Sequence, residues 1–302
     1  MAHELRIGLI GLDTSHVMAF TKLLNNVDEK DHIPGARVIA GYPGGSDDIA
    51  VSRDRVAGFT NDLREKYGID IMDSPEDVAK ACDLVFITAV DGRIHKDLFA
   101  RVVPFKRPTF IDKPFTTSLA DAREIYRLAE ENDVPVMSCS SLRYADGLTE
   151  ALKGEKVFGC DAFGPMDLIP QLPGFFWYGV HVVEVMERIM GTGCQSVTVT
   201  KTDDFDLLAA RWSDNRVATM RGSRNAHKKF GVTLHRKKDF DFINLQENKR
   251  AWYANMLEAI LKTLPQGKSD VAKADTLVVI KIIEAANASR ETGKTIHLDN
   301  VQ

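Results

Sequence analysis

Leu5-Arg6-Ile7-Gly8-Leu9-Ile10-Gly11-Leu12-Asp13-Thr14-Ser15-His16 is a short apolar run that ends in glycine and passes into three cap-forming residues. Such a run suits a buried parallel strand entering a tight turn. From His16 to Leu24 the apolar residues recur at helical spacing, so a helix follows the turn. A glycine turn from a first strand into a helix aims backbone N–H groups and the positive helix end at a pyrophosphate. The spacing is not GxGxxG, because Asp13 and His16 stand where small residues are expected. By spacing alone, two readings stay open: a dinucleotide turn, or a capped strand-to-helix turn. An Asp beside phosphates repels them unless it faces away, whereas Thr14 and Ser15 can donate hydroxyl hydrogen bonds.

Working outward, strand and helix alternate. Strands are expected at Arg37–Tyr42, Asp70–Met72, Asp83–Thr88, Pro108–Ile111 and Val134–Ser138. Helices are expected at Val56–Tyr67, after Ser74-Pro75, near His95–Val103 and over Ser118–Asn132. That order predicts an α/β fold with a Rossmann-like doubly wound parallel sheet. Beyond about residue 150 the pattern changes. A strand-like stretch at Val157–Leu168 and a helix at Tyr178–Met190 precede strand segments at Ser196–Thr202, Leu207–Trp212, Val217–Arg221, Phe230–Leu234 and Asp239–Leu245. Two helices, Ala251–Leu264 and Ser269–Glu291, follow. The expectation is an α+β second domain with a mainly antiparallel open sheet, the division being 1–145 and 146–302, with the C-terminal helix able to pack back on the first domain.

The 302 residues are 44% hydrophobic and 27% charged, with 39 Lys+Arg against 43 Asp+Glu, a net charge of −4. An acidic balance argues against a general nucleic-acid partner. No apolar run approaches the roughly 20 residues needed to span a bilayer, and no secretory signal pattern precedes Leu5. The four cysteines (Cys82, Cys139, Cys160 and Cys194) form no CxxC pair and suit reduced thiols in a cytoplasmic protein.

Lys113, in Phe110-Ile111-Asp112-Lys113-Pro114-Phe115, ends a buried strand and so points at whatever fills the crevice above the strand ends. The alternative is a surface lysine before a proline turn. His181 and Glu184, three apart in Gly179-Val180-His181-Val182-Val183-Glu184, share a helix face. Imidazole suits proton exchange near neutral pH, and a carboxylate can orient it. A histidine packed beside an ion pair is the plainer alternative, and no metal is expected, since zinc needs more ligands than this pair. The basic residues between Arg221 and Lys238 could bind an anion, though the solvated outer face of a hairpin accounts for them more simply.

The order of these pieces resembles the Gfo/Idh/MocA oxidoreductase family. The resemblance rests on the first-strand glycine turn, Thr88-Ala89-Val90-Asp91-Gly92-Arg93-Ile94-His95, Asp112-Lys113-Pro114, Gly179-x-His181-x-x-Glu184 and the helix from Ala272 to Ser289. It implies an NAD- or NADP-binding first domain and a second domain that supplies the substrate pocket and an open sheet for homodimers or homotetramers. The implied reaction is hydride transfer to or from a sugar- or polyol-like hydroxy compound, with Lys113, His181 and Glu184 catalytic. With the turn read above, it implies cofactor contacts from Gly8, Gly11, Asp13, Thr14, Ser15, His16, Thr88, His95 and Lys113, and substrate contacts from Trp177, Tyr178 and His181. The chain departs from the family at Asp13 and His16, at Pro43, where an acid would hold the ribose of NAD, and at Trp177, where an acid often stands four residues before the histidine. Ser46 and Arg53 are the candidates for a 2′-phosphate. The alternative function is a catalytically silent relative that binds a small ligand or serves as an oligomeric partner.

Overall fold

The computed structural model describes residues 4–301. Its first sheet is parallel throughout and has six strands in the order β3-β2-β1-β4-β5-β6: β1 (Leu5–Ile10), β2 (Ala36–Tyr42), β3 (Asp70–Ile71), β4 (Leu84–Ile87), β5 (Thr109–Ile111) and β6 (Val136–Met137). The connecting helices are α1 (Ser15–Asn25), α2 (Ala50–Tyr67), α3 (Pro75–Ala81), α4 (His95–Val102) and α5 (Leu119–Asn132). Ile7, Leu9, Ile10, Val85 and Phe86 are wholly buried, as expected of strands covered by helices on both faces. The order reverses direction between β1 and β4, the switch point at which open α/β sheets take their ligands.

α2 begins at Ala50, six residues before the start expected from sequence. Its first turn has no side-chain cap. Ser52 is instead held from outside, its hydroxyl accepting the Ser46 amide and donating to Asp13. A tertiary partner there supplies what local sequence lacks.

The second sheet is mixed and mainly antiparallel, in the order β12-β11-β7-β10-β9-β8-β13. After α6 (Asp146–Ala151) come β7 (Gly159–Pro165), α7 (Gly179–Met190), β8 (Cys194–Lys201), β9 (Phe205–Trp212), β10 (Val217–Ser223), β11 (Gly231–His235) and β12 (Phe240–Asn244); α8 (Ala254–Thr263), α9 (Lys273–Thr292) and β13 (Ile296–His297) follow. Among the described residues of this sheet, only β7 and β10 pair in parallel. Along β9 buried and outward residues alternate, so one face packs on helices α7 and α9. On the outer side Leu207, Val217, Phe240 and Phe242 stand exposed.

The chain separates into two compact units. The first runs to Thr116 and adds Asp121–Cys139 and Tyr253–Ala272; the second takes Thr117–Ala120, Ser140–Trp252 and the chain from Lys273 on. Thus α8 belongs with the first unit and α9 with the second. The Tyr253 ring, just before α8, lies 4.9 Å from the His16 ring and 5.3 Å from the Phe20 ring of α1. All four cysteines are buried and unbridged. No helix among the described residues is long and apolar enough to cross a membrane.

Candidate functional site

In the first unit the site grows from the turn after β1. Gly11 has φ of 92°, and a Cβ there would lie 2.5 Å from both the Cα and the N of Ala89. Only glycine allows both this dihedral and so close a pass of the loop after β4. The Gly11 and Leu12 amides donate to the carbonyls of Tyr42 and Pro43, binding the turn to the end of β2. Thr14 caps α1, its hydroxyl accepting the His16 amide, and Ser15 is the exposed first residue of the helix. The turn therefore brings a helix N-terminus to the carboxyl ends of the strands, the ordinary place for a phosphate.

Several residues expected to touch a cofactor have partners within the scaffold. Gly8 lies inside β1, and a Cβ there would fall 2.3 Å from Val78 Cγ1, so its bareness lets α3 approach the sheet. The Thr88 hydroxyl donates to the Gly11 carbonyl at 2.7 Å and is fully buried. The His95 ring nitrogens lie 3.0 and 2.8 Å from the carbonyls of Phe115 and Ala89, tying together the loops after β4 and β5. Asp13 is wholly buried. Its Oδ2 accepts the Ser52 hydroxyl at 2.6 Å and its Oδ1 the Val90 amide at 3.1 Å. Burial lifts the Asp13 carboxyl above its ordinary range, against the hydrogen bonds from Ser52 and Val90. The carboxylate ties the first turn of α2 to the loop after β4.

His16 also has a partner of its own. Its Nδ1 lies 2.5 Å from Oδ2 of Asp112, and Asp112 Oδ1 accepts the amide of Lys113 at 2.8 Å. Burial would raise the Asp112 carboxyl, but the paired His16 and the Lys113 charge outweigh it and hold it below the usual range. Asp112 thus joins α1 to the residue that carries Lys113. Burial pushes the Lys113 ammonium down, with Asp112 opposing, a shift in the direction that suits proton transfer near neutral pH. Around the loop after β2, the Ser46 hydroxyl donates to Asp91, and Arg93 binds both Asp91 and Asp48. Arg53 donates to Asp54 and to the Asp47 carbonyl.

In the second unit α7 carries His181 and Glu184. The expected pair does not form between them. His181 Nδ1 lies 2.7 Å from the Ser140 hydroxyl, while Glu184 Oε2 accepts the Ser140 amide at 2.7 Å. Burial pushes the Glu184 carboxyl up to about 8, against the pull of Arg143. Arg143 is itself held by Glu187 at 2.9 Å and Asp275 at 3.2 Å. Tyr178 lies 6.0 Å from the His181 ring and 5.7 Å from the Trp177 ring. Sequence reasoning gave Asp112 no role of its own beside Lys113 and did not single out Ser140. Their signal was slight: each stands just past the end of a buried strand, β5 and β6. No cluster of metal ligands occurs among the described residues.

The residues present fit a dinucleotide. Gly11 leaves a Cβ-free turn, Asp13 is withdrawn, and the amides of Thr14 and Ser15 open α1. Residues 6–139 match the model of an oxidoreductase family with an NAD-binding Rossmann fold. No curated protein is significantly similar in sequence. Among solved structures, a probable dehydrogenase from Thermotoga maritima superposes with TM-score 0.80 at 19% identity, over 99% of this chain and 100% of that one. A myo-inositol 2-dehydrogenase from Lactobacillus plantarum does so with TM-score 0.80 at 14% identity, over 99% of each chain. An Agrobacterium radiobacter oxidoreductase, solved with NAD+, L-tartaric acid and magnesium, gives 0.74 at 16%, over 99% and 100%. At such identities the likeness speaks for the fold.

Proposed function

We propose that the chain, whose residues 6–139 match the family model, is a member of the Gfo/Idh/MocA oxidoreductase family and an NAD(P)-dependent dehydrogenase or reductase of a polyol- or sugar-like hydroxy compound. The observation that carries this reading is the inward Asp13 carboxylate. It leaves the α1 N-terminus able to receive a pyrophosphate despite the altered fingerprint. Gly11, Thr14 and Ser15 would hold the dinucleotide. When bound, the nicotinamide supplies the hydride acceptor or donor.

The chain's own residues manage the proton. Lys113, its ammonium eased by burial and its backbone held by Asp112, donates to or withdraws from the reacting oxygen. His181 exchanges the hydroxyl proton, and Trp177 and Tyr178 offer apolar faces to a sugar or polyol ring. The buried, unbridged cysteines accord with work in the cytoplasm. The exposed Leu207, Val217, Phe240 and Phe242 accord with self-association through the outer face of the second sheet.

Titration with NADH and NADPH, read by nicotinamide fluorescence and melting temperature, tests the reading. A low-micromolar response is expected. Because Ser46, Arg53 and Arg93 are engaged by other partners, NADPH should bind no more tightly than NADH. No response to either nucleotide at millimolar concentration would reject the proposal in favour of a silent, ligand-binding relative. A tenfold preference for NADPH would reject only the account of its 2′-phosphate contacts.

A further inference from the structure

Resting on the substrate contacts given to Trp177 and Tyr178, we infer that Asn287 of α9 is their positioning residue, clamping the aromatic segment ahead of α7 and so fixing the wall that a ring substrate meets. The segment runs Pro173-Gly174-Phe175-Phe176-Trp177-Tyr178. Phe175 and Phe176 are buried, whereas Trp177 and Tyr178 are half-buried. Asn287 Oδ1 accepts the Phe175 amide at 3.0 Å, and its Nδ2 donates to the Pro173 carbonyl at 3.1 Å. One side chain thus grips the backbone on both sides of Gly174.

The grip needs a carboxamide. A backbone N–H requires an acceptor and a carbonyl a donor, and asparagine offers both in a single plane. Gly174 has φ of 55°, and a Cβ there would lie 2.0 Å from Asn287 Oδ1, so a bare left-handed residue lets α9 come this close. The short 3-10 turn Gly174–Phe176 has no side-chain cap from the residue before it, and Tyr178 gives α7 none either. Where the local sequence supplies no cap, a partner 112 positions along the chain takes its place.

Packing carries the clamp to the site. The Phe175 ring lies against the first residue of α7: a Cβ on Gly179 would fall 2.9 Å from Phe175 Cδ1. Trp177 and Tyr178 stand between these two fixed points, their ring centroids 5.7 Å apart and their planes at 77°. His181 is held separately, by the Ser140 hydroxyl at 2.7 Å and by the buried Val180, Val182 and Val183 beside it in α7. Loss of the clamp therefore loosens the aromatic wall and leaves the proton-transfer group in place. A ring substrate then loses the same contact in its ground and transition states, which appears in KM rather than in kcat.

Labelling with 5-fluorotryptophan and ¹⁹F NMR of the ligand-free protein read the wall directly, with Trp177→Phe assigning its line among the three tryptophans. Asn287→Ala should shift and broaden the Trp177 line while those of Trp212 and Trp252 stay in place. Gly174→Ala, which drives a methyl into Asn287, should do the same. Asn287→Asp keeps the acceptor and loses the donor, so it should fall between, and it serves if the alanine variant does not fold. With a turned-over substrate, Asn287→Ala should raise KM about 10-fold, the scale of one to two hydrogen bonds. Its kcat should stay within about threefold, and its NADH affinity within about twofold, because Asn287 and the residues given to the dinucleotide belong to different units. An unmoved Trp177 line, or a fall in kcat at unchanged KM, would overturn the inference. So would three tryptophan lines moving together, the mark of a general loss of packing. The spectra need neither nucleotide nor substrate, so a failed nucleotide titration would remove the dehydrogenase reading while the Trp177 line still judged Asn287.

Discussion

Replacing Asp13 by glycine restores a residue of the dinucleotide fingerprint, and it should tighten cofactor binding if the carboxylate faces phosphate. The structure reverses that expectation. Asp13 Oδ2 and Oδ1 accept the buried Ser52 hydroxyl and the Val90 amide. Glycine leaves both donors without their acceptor, at about 1–3 kcal/mol each. Relief of a carboxylate lifted by burial offsets part of this, and the net loss should be about 2–4 kcal/mol. At about 2–4 °C per kcal/mol for a unit of this size, the melting temperature should fall by roughly 4–16 °C. Asp13→Asn keeps the shape and one acceptor, and should lose much less. Differential scanning calorimetry of the three proteins, with NADH titrations by fluorescence, measures both effects. The glycine variant should bind NADH no more tightly than the wild type. An unchanged melting temperature together with tenfold tighter NADH binding would refute the inward carboxylate and with it the geometry of the turn.

Gly11→Ala places a Cβ against the Ala89 backbone at a left-handed dihedral. The dihedral alone costs about 1–3 kcal/mol, so calorimetry should show a marked loss of stability and fluorescence a loss of NADH response. Glu184 carries a carboxyl at about 8 against an ordinary 4.5. Its contribution to stability is present below the ordinary value and is lost as pH rises through about 8. Melting curves from about pH 5 to about pH 9 should therefore show Glu184→Gln gaining on the wild type as pH increases; parallel curves would contradict the raised carboxyl. Lys113→Ala and His181→Ala should each lower turnover about 10²- to 10⁴-fold with little change in melting temperature. Unaltered turnover would remove the residue from the mechanism.

The alternation of elements was legible because periodicity reports local burial. The apolar run Leu5–Ile10 and its glycine, and the strand before Asp112-Lys113-Pro114, could be read from side-chain pattern, since a covered parallel strand must be apolar on both faces. The alternating Phe230-Gly231-Val232-Thr233-Leu234 likewise announced a sheet with one wet face. The start of α2 was not legible, because Ser52 is held by Ser46 and Asp13 rather than by a cap in its own turn.

What the sequence by itself determined, then, was the two-part α/β and α+β plan and the positions of Lys113 and His181 at the ends of their elements. The tertiary structure alone decided where the polar groups turn. Asp13 reaches residues 39 and 77 positions away, His16 finds Asp112 at a separation of 96, and His181 takes Ser140 from 41 positions upstream instead of Glu184 on its own helix. Spacing along a helix or strand fixes which face a side chain shares. Which buried donor meets which acceptor depends on how distant segments pack, because each buried polar group takes the partner that packing brings within reach.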